Sequence, residues 1–242
     1  MRAQQDIQER EEKRPCRWAY LNLLGYREAW DLQRTLVEER AQGRSGDSLL
    51  LLEHPPTYTL GRRGRESDLL LPRRELERRG AAVYDVDRGG EVTFHGPGQL
   101  VGYPIIGLRS WGGPLKYVRA LEATLIAGLD TFGIHAGRIE GLTGVWANDA
   151  KIAAIGVRIS RGVTSHGFAL NVGTDLAWFQ HIVPCGIPDH DVTSMERLLG
   201  RSLELQKVAA VAAEVFGRKM GLRMTQVTTE DVVGAPMTAP SL

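Results

Sequence analysis

Residues 144–195 read GVWANDAKIAAIGVRISRGVTSHGFALNVGTDLAWFQHIVPCGIPDHDVTSM, and this stretch carries the pattern that decides the fold. Two of its segments, KIAAIGVRIS (151–160) and VTSHGFALNV (163–172), have the length of a strand and are rich in β-branched and small apolar residues. Only Arg161 and Gly162 separate the two segments, which is typical of a tight two-residue turn. The stretch therefore predicts an antiparallel hairpin whose first strand begins with a lysine.

The same stretch contains a candidate nucleophile, Cys185, between Pro184 and Gly186. A nearby ammonium group stabilises a thiolate and lowers the pKa of a cysteine thiol from about 8.5 to about 4–7. We interpret Lys151 as that ammonium group and expect the TDLAWF segment (174–179) to return Cys185 to the sheet edge where Lys151 lies. The alternative is an inert, buried cysteine and a solvated lysine, and the spacing alone favours this alternative.

Three separate blocks of the sequence resemble a known family. They are RGGEVTFHGPGQLVGYPI (88–105), the two hairpin segments, and VPCGIPDHDVTSM (183–195). In composition and in order they are similar to the signature blocks of the lipoyl(octanoyl) transferase family. The resemblance implies that Cys185 carries the acyl group as a thioester and that Lys151 lowers the pKa of its thiol. One departure is Gly162, where the family has a bulkier residue, so that the contacts of this turn differ.

The resemblance also implies an acyl-substrate pocket. Its implied lining residues are Arg88, Gly89, Gly90, Glu91, Val92, Thr93, Phe94, His95, Ala154, Ile155, Gly156, Gly167, Phe168 and Ala169. The small residues of the hairpin would leave room for an acyl chain. We expect Thr93 and Phe94 to alternate between the two faces of their strand, and His95 and His166 to lie near the pocket.

The resemblance further implies the reaction and its partners. The donor would be octanoyl-acyl carrier protein, and the acceptors would be the lipoyl domains of 2-oxoacid dehydrogenase E2 subunits and the glycine cleavage H protein. Exchange between thioesters is nearly isoenergetic and conversion of a thioester to an amide is downhill, so no cofactor, ATP or metal is expected. The six histidines fit this expectation, because they show no HExxH or CxxC spacing.

Length, composition and charge limit the alternatives. The 242 residues are 43% hydrophobic and can bury one sizeable core, while a net charge of +1 gives no reason to expect nucleic acid. Two cysteines without a CxxC pair are typical of a reducing compartment, and no apolar run approaches the ~18 residues of a membrane span. We therefore predict a cytoplasmic enzyme with a flexible extension (1–14), one catalytic domain (15–225) and a flexible tail (226–242).

The remaining patterns predict an α+β fold. Helical periodicity predicts helices over 26–41, 114–132 and 203–220, with strands in the hairpin and around the Leu49 to Leu52 run. The order of the strands is not the regular alternation of a doubly wound fold, so we expect a mixed, largely antiparallel sheet with packed helices. The family resemblance implies a biotin/lipoate protein ligase-like architecture, which agrees with this expectation.

Other functions remain open at this level. A hydrolase could use Cys185 with His166, His181 or His190, and it would release free acid to water. An ATP-dependent lipoate or biotin ligase of the same fold would not need the cysteine, and a fourth alternative is a carrier-binding protein without catalysis. The arginine-rich stretch 62–79 is either a solvated helical face or a docking surface for an acidic partner, and its charges alone do not decide between them.

Overall fold

The computed structural model describes residues 13–108, 112–183 and 191–233. Its strands are β1 (Arg14–Leu23), β2 (Asp47–Glu53), β3 (Thr57–Leu60), β4 (Ala82–Asp85), β5 (Val92–His95), β6 (Gln99–Ile105), β7 (Val145–Ala147), β8 (Ala150–Ser160), β9 (Val163–Asn171) and β10 (Leu222–Gln226). Its α-helices are α1 (Tyr26–Ala41), α2 (Arg73–Arg78), α3 (Pro114–Asp130), α4 (Met195–Leu199), α5 (Leu205–Met220) and α6 (Thr229–Val233). Short 3₁₀ helices cover Glu66–Asp68 and Leu176–His181.

The strands form a seven-stranded sheet and a three-stranded sheet. The large sheet has the order β10-β1-β2-β6-β9-β8-β7, and the small sheet has the order β4-β3-β5. Strand β1 is parallel to both of its neighbours and β3 is parallel to β4, whereas the other pairs are antiparallel. The prediction of an α+β fold with a mixed, largely antiparallel sheet is therefore confirmed.

The predicted hairpin is present as β8 and β9. The two strands pair from Ser160 and Val163 at the turn to Ala153 and Leu170 at the far end. Arg161 has a φ of 51° and Gly162 a φ of 77°, the two positive values that a type I′ turn requires.

Helices cover both faces of the large sheet. On strand β2, Leu49 and Leu51 belong to the cluster that packs under α3 and α5, while Leu50 and Leu52 belong to the cluster under α1. All four leucines are fully buried. The continuous apolar run in the sequence is thus explained by burial on both faces, because successive side chains of a strand point in opposite directions.

The ends of the chain differ in part from the predicted extension and tail. Residues 1–12 and 234–242 lie outside the described residues. Strand β1 already begins at Arg14, and the backbone N–H of Val227 donates a hydrogen bond to the carbonyl of Trp18 at 2.9 Å. Val232 of α6 is buried in the cluster under α1 and Val227 packs against the same cluster, so these two residues anchor the part of the predicted tail that the structure describes. The sequence signal for this helix is weak because it has only five residues.

Candidate active site

A cavity of about 550 Å³ lies between the β8–β9 hairpin, the segment 88–95 and the beginning of α3. Every residue that the resemblance assigned to the pocket borders this cavity except Phe94. Further residues on its wall include Tyr26, Tyr103, Leu142, Thr143, Lys151 and His166. The structure therefore brings together residues that lie more than 60 positions apart in the sequence.

Phe94 is the exception, because the structure places its side chain in a hydrophobic cluster and not on the cavity wall. Its side chain is buried in the core of the small sheet, where the ring stacks on Trp178 at 5.4 Å between centroids and lies 5.2 Å from Tyr58. Thr93 precedes it on the same strand and borders the cavity. The expected alternation is correct, and it sends Phe94 to the face that packs against the 3₁₀ helix Leu176–His181.

Segment 88–91 is bonded to the hairpin through the backbone of Gly89 and to the small sheet through the buried side chain of Arg88. The Arg88 guanidinium donates a hydrogen bond to the carbonyl of Thr59 at 2.6 Å, and the N–H of Gly89 donates one to the carbonyl of Val157 at 2.9 Å. A Cβ atom on Gly156 would lie 2.8 Å from the carbonyl oxygen of Gly89 and 3.0 Å from Cδ of Arg88. Only glycine at position 156 lets this wall of the cavity approach strand β8 so closely.

Lys151 borders the cavity, and its side chain is almost completely buried. Its Nζ atom lies 4.8 Å from the ring centroid of Trp146, its cross-strand neighbour on β7, a distance typical of a cation–π contact. The backbone of Lys151 pairs in parallel with Val192, because its N–H donates to the carbonyl of Asp191 at 2.8 Å and its carbonyl accepts from Thr193 at 3.0 Å. This pairing fixes Lys151 at the wall of the cavity.

Cys185 lies outside the described residues, in the gap 184–190. The residues that flank this gap are anchored on both sides. Val183 donates a backbone hydrogen bond to the carbonyl of Asp68 at 2.9 Å, and Asp191 accepts one from Lys151 itself. Asp191, six residues after Cys185, is therefore bonded directly to the backbone of Lys151.

His166 also borders the cavity, as expected. Its backbone has a φ of 54°, and its Nε2 atom lies 2.8 Å from Oδ1 of Asp87, a carboxylate that is also paired with Arg158. Burial, together with nearby guanidinium groups such as those of Arg88 and Arg158, lowers the pKa of His166 to about 3. The imidazole is therefore neutral and donates its Nε2 proton to Asp87.

Sequence reasoning missed a group of aromatic residues at the cavity. Tyr26 and Tyr103 border the cavity, and behind them His54 bonds the hydroxyl of Tyr103 through Nε2 at 2.7 Å and the carbonyl of Leu24 through Nδ1 at 2.7 Å. Burial lowers the pKa of His54 to about 4, so this ring is neutral as well. The residues come from three elements, and no local pattern in the sequence joins them.

Residues 13–108, 112–183 and 191–233 contain no group of three or more histidine, cysteine, aspartate or glutamate side chains that could hold a metal ion. None of the helices in these ranges is long and apolar enough to cross a membrane.

Comparisons with known proteins agree with this geometry. The matching family model is described as the lipoyl protein ligase A/B catalytic domain and covers residues 25–217. An octanoyltransferase from Koribacter versatilis (strain Ellin345) is 53% identical over 205 residues, which span 81% of this chain and 82% of that protein.

Solved structures show the fold. A bi-partite lipoate protein ligase from Thermoplasma acidophilum, studied with its E2 lipoyl domain, superimposes with a TM-score of 0.70 at 16% identity and covers 91% of each chain. A biotin protein ligase from Aquifex aeolicus in complex with biotin and ATP gives a TM-score of 0.50 at 14% identity and covers 85% of this chain and 70% of that one. The biotin/lipoate protein ligase-like architecture is thereby confirmed. The family model and the relatives at about half identity show that the chain belongs to the octanoyltransferase family.

Proposed function

We propose that this protein transfers an octanoyl group from acyl carrier protein to a lysine of a lipoyl domain through a thioester on Cys185. The observation that carries the proposal is the position of Lys151. Its side chain is buried on the wall of a cavity of about 550 Å³, and its backbone is bonded to Asp191 and Thr193, just beyond Cys185 in the sequence. The cavity supports the proposal too, because its walls include the small residues of the hairpin and can enclose an acyl chain.

The reaction has two halves. The Cys185 thiolate attacks the carbonyl carbon of the donor thioester, backbone N–H groups hold the oxyanion, and the bond to the carrier sulfur breaks. The amine of the acceptor lysine then attacks the acyl-enzyme, an amide forms, and the Cys185 thiolate is released. Lys151 stabilises the thiolate, gives a proton to the leaving carrier thiol and takes one from the incoming amine.

The other classes of function receive less support. The imidazole of His181 bonds the hydroxyl of Tyr58 through Nδ1 at 3.0 Å and approaches Arg79 through Nε2 at 3.3 Å, and His166 is engaged with Asp87. Both ring nitrogens of His181 are therefore engaged, and the lowered pKa of His166, about 3, makes its imidazole a weak base for a Cys185 hydrolase, while His190 lies outside the described residues. The relatives at about half identity are named octanoyltransferases, which favours the transferase over an ATP-dependent ligase.

The proposed partners are acidic protein domains, and one surface fits them. Segment 68–70 pairs with residues 181–183, so the arginine-rich stretch lies directly beside the chain that leads to Cys185. Arg62 and Arg65 of this stretch are exposed and form no ion pair with any residue that the structure describes. The neighbouring Arg63 borders the cavity. We propose that Arg62 and Arg65 attract the octanoyl-acyl carrier protein, and the predicted cytoplasmic location stays a prediction.

The test is the intact mass of the protein after mixing with octanoyl-carrier thioester in the absence of an acceptor. We expect a hydroxylamine-labile octanoyl adduct on the wild type, slower formation in Lys151→Ala and no thioester in Cys185→Ser. Cys16→Ser is the matched control, because Cys16 is buried and its burial, with the Asp47 carboxylate, raises the pKa of its thiol to about 12. Cys16→Ser should keep the full adduct.

Two results would contradict the proposal. A thioester adduct that survives Cys185→Ser would place the acyl group on another cysteine. A wild type that stays unmodified with the thioester, but modifies a lipoyl domain when given ATP and free octanoate, would identify a ligase.

A further inference from the structure

We propose that a one-directional chain of hydrogen bonds holds Lys151 in place and that Gln99 and Asn171 are positioning residues for the reaction. This inference depends on the proposed function only in taking Lys151 as the catalytic acid and base. We call this series of hydrogen bonds the relay. Its side chains are those of Arg88, Thr59, His95, Gln99 and Asn171. The relay crosses from the small sheet to the large one and ends at the backbone that pairs with Lys151.

Backbone carbonyls determine how the two amides of the relay are oriented. The Gln99 side chain places one terminal atom 3.1 Å from the carbonyl oxygen of Phe94, and that atom must be Nε2 because a carbonyl oxygen only accepts. The Asn171 side chain likewise places an atom 3.0 Å from the carbonyl oxygen of Thr193, and that atom must be Nδ2. Gln99 Nε2 then donates to Asn171 Oδ1 at 2.9 Å, across the β6–β9 register that pairs the two residues directly.

The orientation of Gln99 in turn determines where His95 carries its proton. Oε1 of Gln99 lies 2.9 Å from Nδ1 of His95, so the imidazole must donate from Nδ1. Its Nε2 atom is then an acceptor, 3.4 Å from the Thr59 hydroxyl. Since that hydroxyl oxygen already accepts from the Arg88 guanidinium at 2.9 Å, its own proton is available to His95.

Burial keeps the imidazole of the relay neutral. His95 is 6% exposed, Gln99 is 1% exposed and Asn171 is 4% exposed. Burial, together with the nearby Arg88 guanidinium, lowers the pKa of His95 well below its usual value. A buried polar group without a partner costs about 1–3 kcal/mol, so each member of the relay holds its neighbour in one orientation.

The relay ends at the catalytic lysine. Thr193 receives the Asn171 amide on its carbonyl, and its own N–H donates to the carbonyl of Lys151. Gln99, Asn171 and Lys151 also border one small cavity of about 20 Å³, so a shift of either amide changes the surroundings of the lysine directly. Gln99 and Asn171 thus act on the reaction through Lys151.

The first test is the tautomer of His95, read from ¹⁵N–¹H correlation spectra of the imidazole between pH 5 and 8. We expect the proton on Nδ1 throughout, with no titration in this range. A proton on Nε2, or a change of shift with pH that reports a charged ring, would overturn the relay. This measurement needs no turnover, so a protein without acyl-enzyme formation but with an Nδ1 proton would remove the proposed function and leave the relay standing.

The second test uses Gln99→Glu and Asn171→Asp, which keep the shape of the side chain and remove the donor. We expect the rate constant for acylation by octanoyl-carrier thioester to fall by about 10- to 100-fold while KM changes little, because Lys151 is displaced and the acyl pocket is not. Gln33→Glu is the matched control, since Gln33 is 1% exposed and lies outside the relay. It should leave the His95 signals unchanged.

A second pair of variants keeps the test decisive if the carboxylate variants fail to fold. Thr59→Val removes the hydroxyl and Thr59→Ser retains it at the same buried position. We expect the Nε2 signal of His95 to shift in Thr59→Val and to return to its wild-type position in Thr59→Ser. Equal signals in the two variants would overturn the assignment of the hydroxyl proton.

Discussion

The two faces of the β8–β9 hairpin consist of the same two strands and serve opposite purposes. On one face Ala153 and Leu170 are cross-strand partners in the core under α3 and α5. On the other face Ala154 and Ala169 are cross-strand partners, and both border the cavity. The difference shows that the same two strands fill the core on one face and leave room for the cavity on the other, where the paired side chains are two alanines.

The largest expected effect is a loss of stability when a side chain is removed from the face of the hairpin that packs in the core. Leu170→Ala removes a side chain that is 4% exposed, so we expect the free energy of unfolding to fall by about 2–5 kcal/mol. Urea denaturation measures this change. Leu23→Ala is the matched control, because Leu23 is 56% exposed and should give almost no loss. A small loss in Leu170→Ala would mean that this face of the hairpin is not a packed core.

The next largest effect is a loss of stability at low pH, which we expect from two buried histidines on the cavity side, His54 and His166. Burial lowers the pKa of His54 to about 4, and burial with the guanidinium groups of Arg88, Arg158 and Arg34 lowers that of His166 to about 3. Below about pH 6.5 the unfolded chain binds protons that the folded chain does not, so stability falls as the pH falls. Each histidine contributes about 1.4 kcal/mol per pH unit until its folded pKa is reached.

Urea midpoints between pH 7.5 and 5 measure this loss, which should total about 4 kcal/mol at pH 5 for the two rings. His95 is a third buried ring with a lowered pKa and adds to this loss, so the variant His54→Gln should lose about a third of the slope. Equal slopes for the variant and the wild type would contradict the neutral state of His54.

The face of the hairpin that borders the cavity is tested by placing a larger side chain on it. Ala154→Leu points a larger side chain into the cavity, where overpacking costs about 1–3 kcal/mol. We expect kcat/KM for an octanoyl thioester to fall by about 5- to 150-fold, while a butanoyl thioester keeps its rate because a short chain still fits. Acylation rates with the two donors measure the effect. An equal loss for both chain lengths would mean that the acyl chain does not lie along Ala154.

The sequence predicts one half of this comparison better than the other. The hairpin and its turn follow from local patterns, because strand length and the pair Arg161-Gly162 are visible over 20 residues. The face on which Phe94 lies needs the packing of the small sheet, which a strand pattern does not specify. The pairing of Lys151 with Val192 is a long-range parallel contact and has no local signal either.

The exposed arginines on either side of Arg63 give the smallest expected effect. Arg62 and Arg65 are exposed, and exposed charges contribute only about 0.2–1 kcal/mol per pair. The double variant Arg62→Glu, Arg65→Glu should therefore raise KM for octanoyl-carrier thioester by about 2- to 10-fold and leave kcat unchanged. Because salt screens exposed charges, the difference should shrink as the ionic strength rises from about 0.05 to 0.5 M.

Two controls decide whether this effect reports docking of the carrier. The first is an octanoyl thioester on a small thiol, which has no protein domain to dock and should react equally with the variant and the wild type. The second is Arg223→Glu, which reverses an exposed charge on β10, at the opposite edge of the large sheet from the hairpin. If Arg223→Glu raises KM as much per charge as the double variant does, the attraction belongs to the whole protein. If only the double variant raises KM, Arg62 and Arg65 form a local docking surface for the carrier protein beside the cavity.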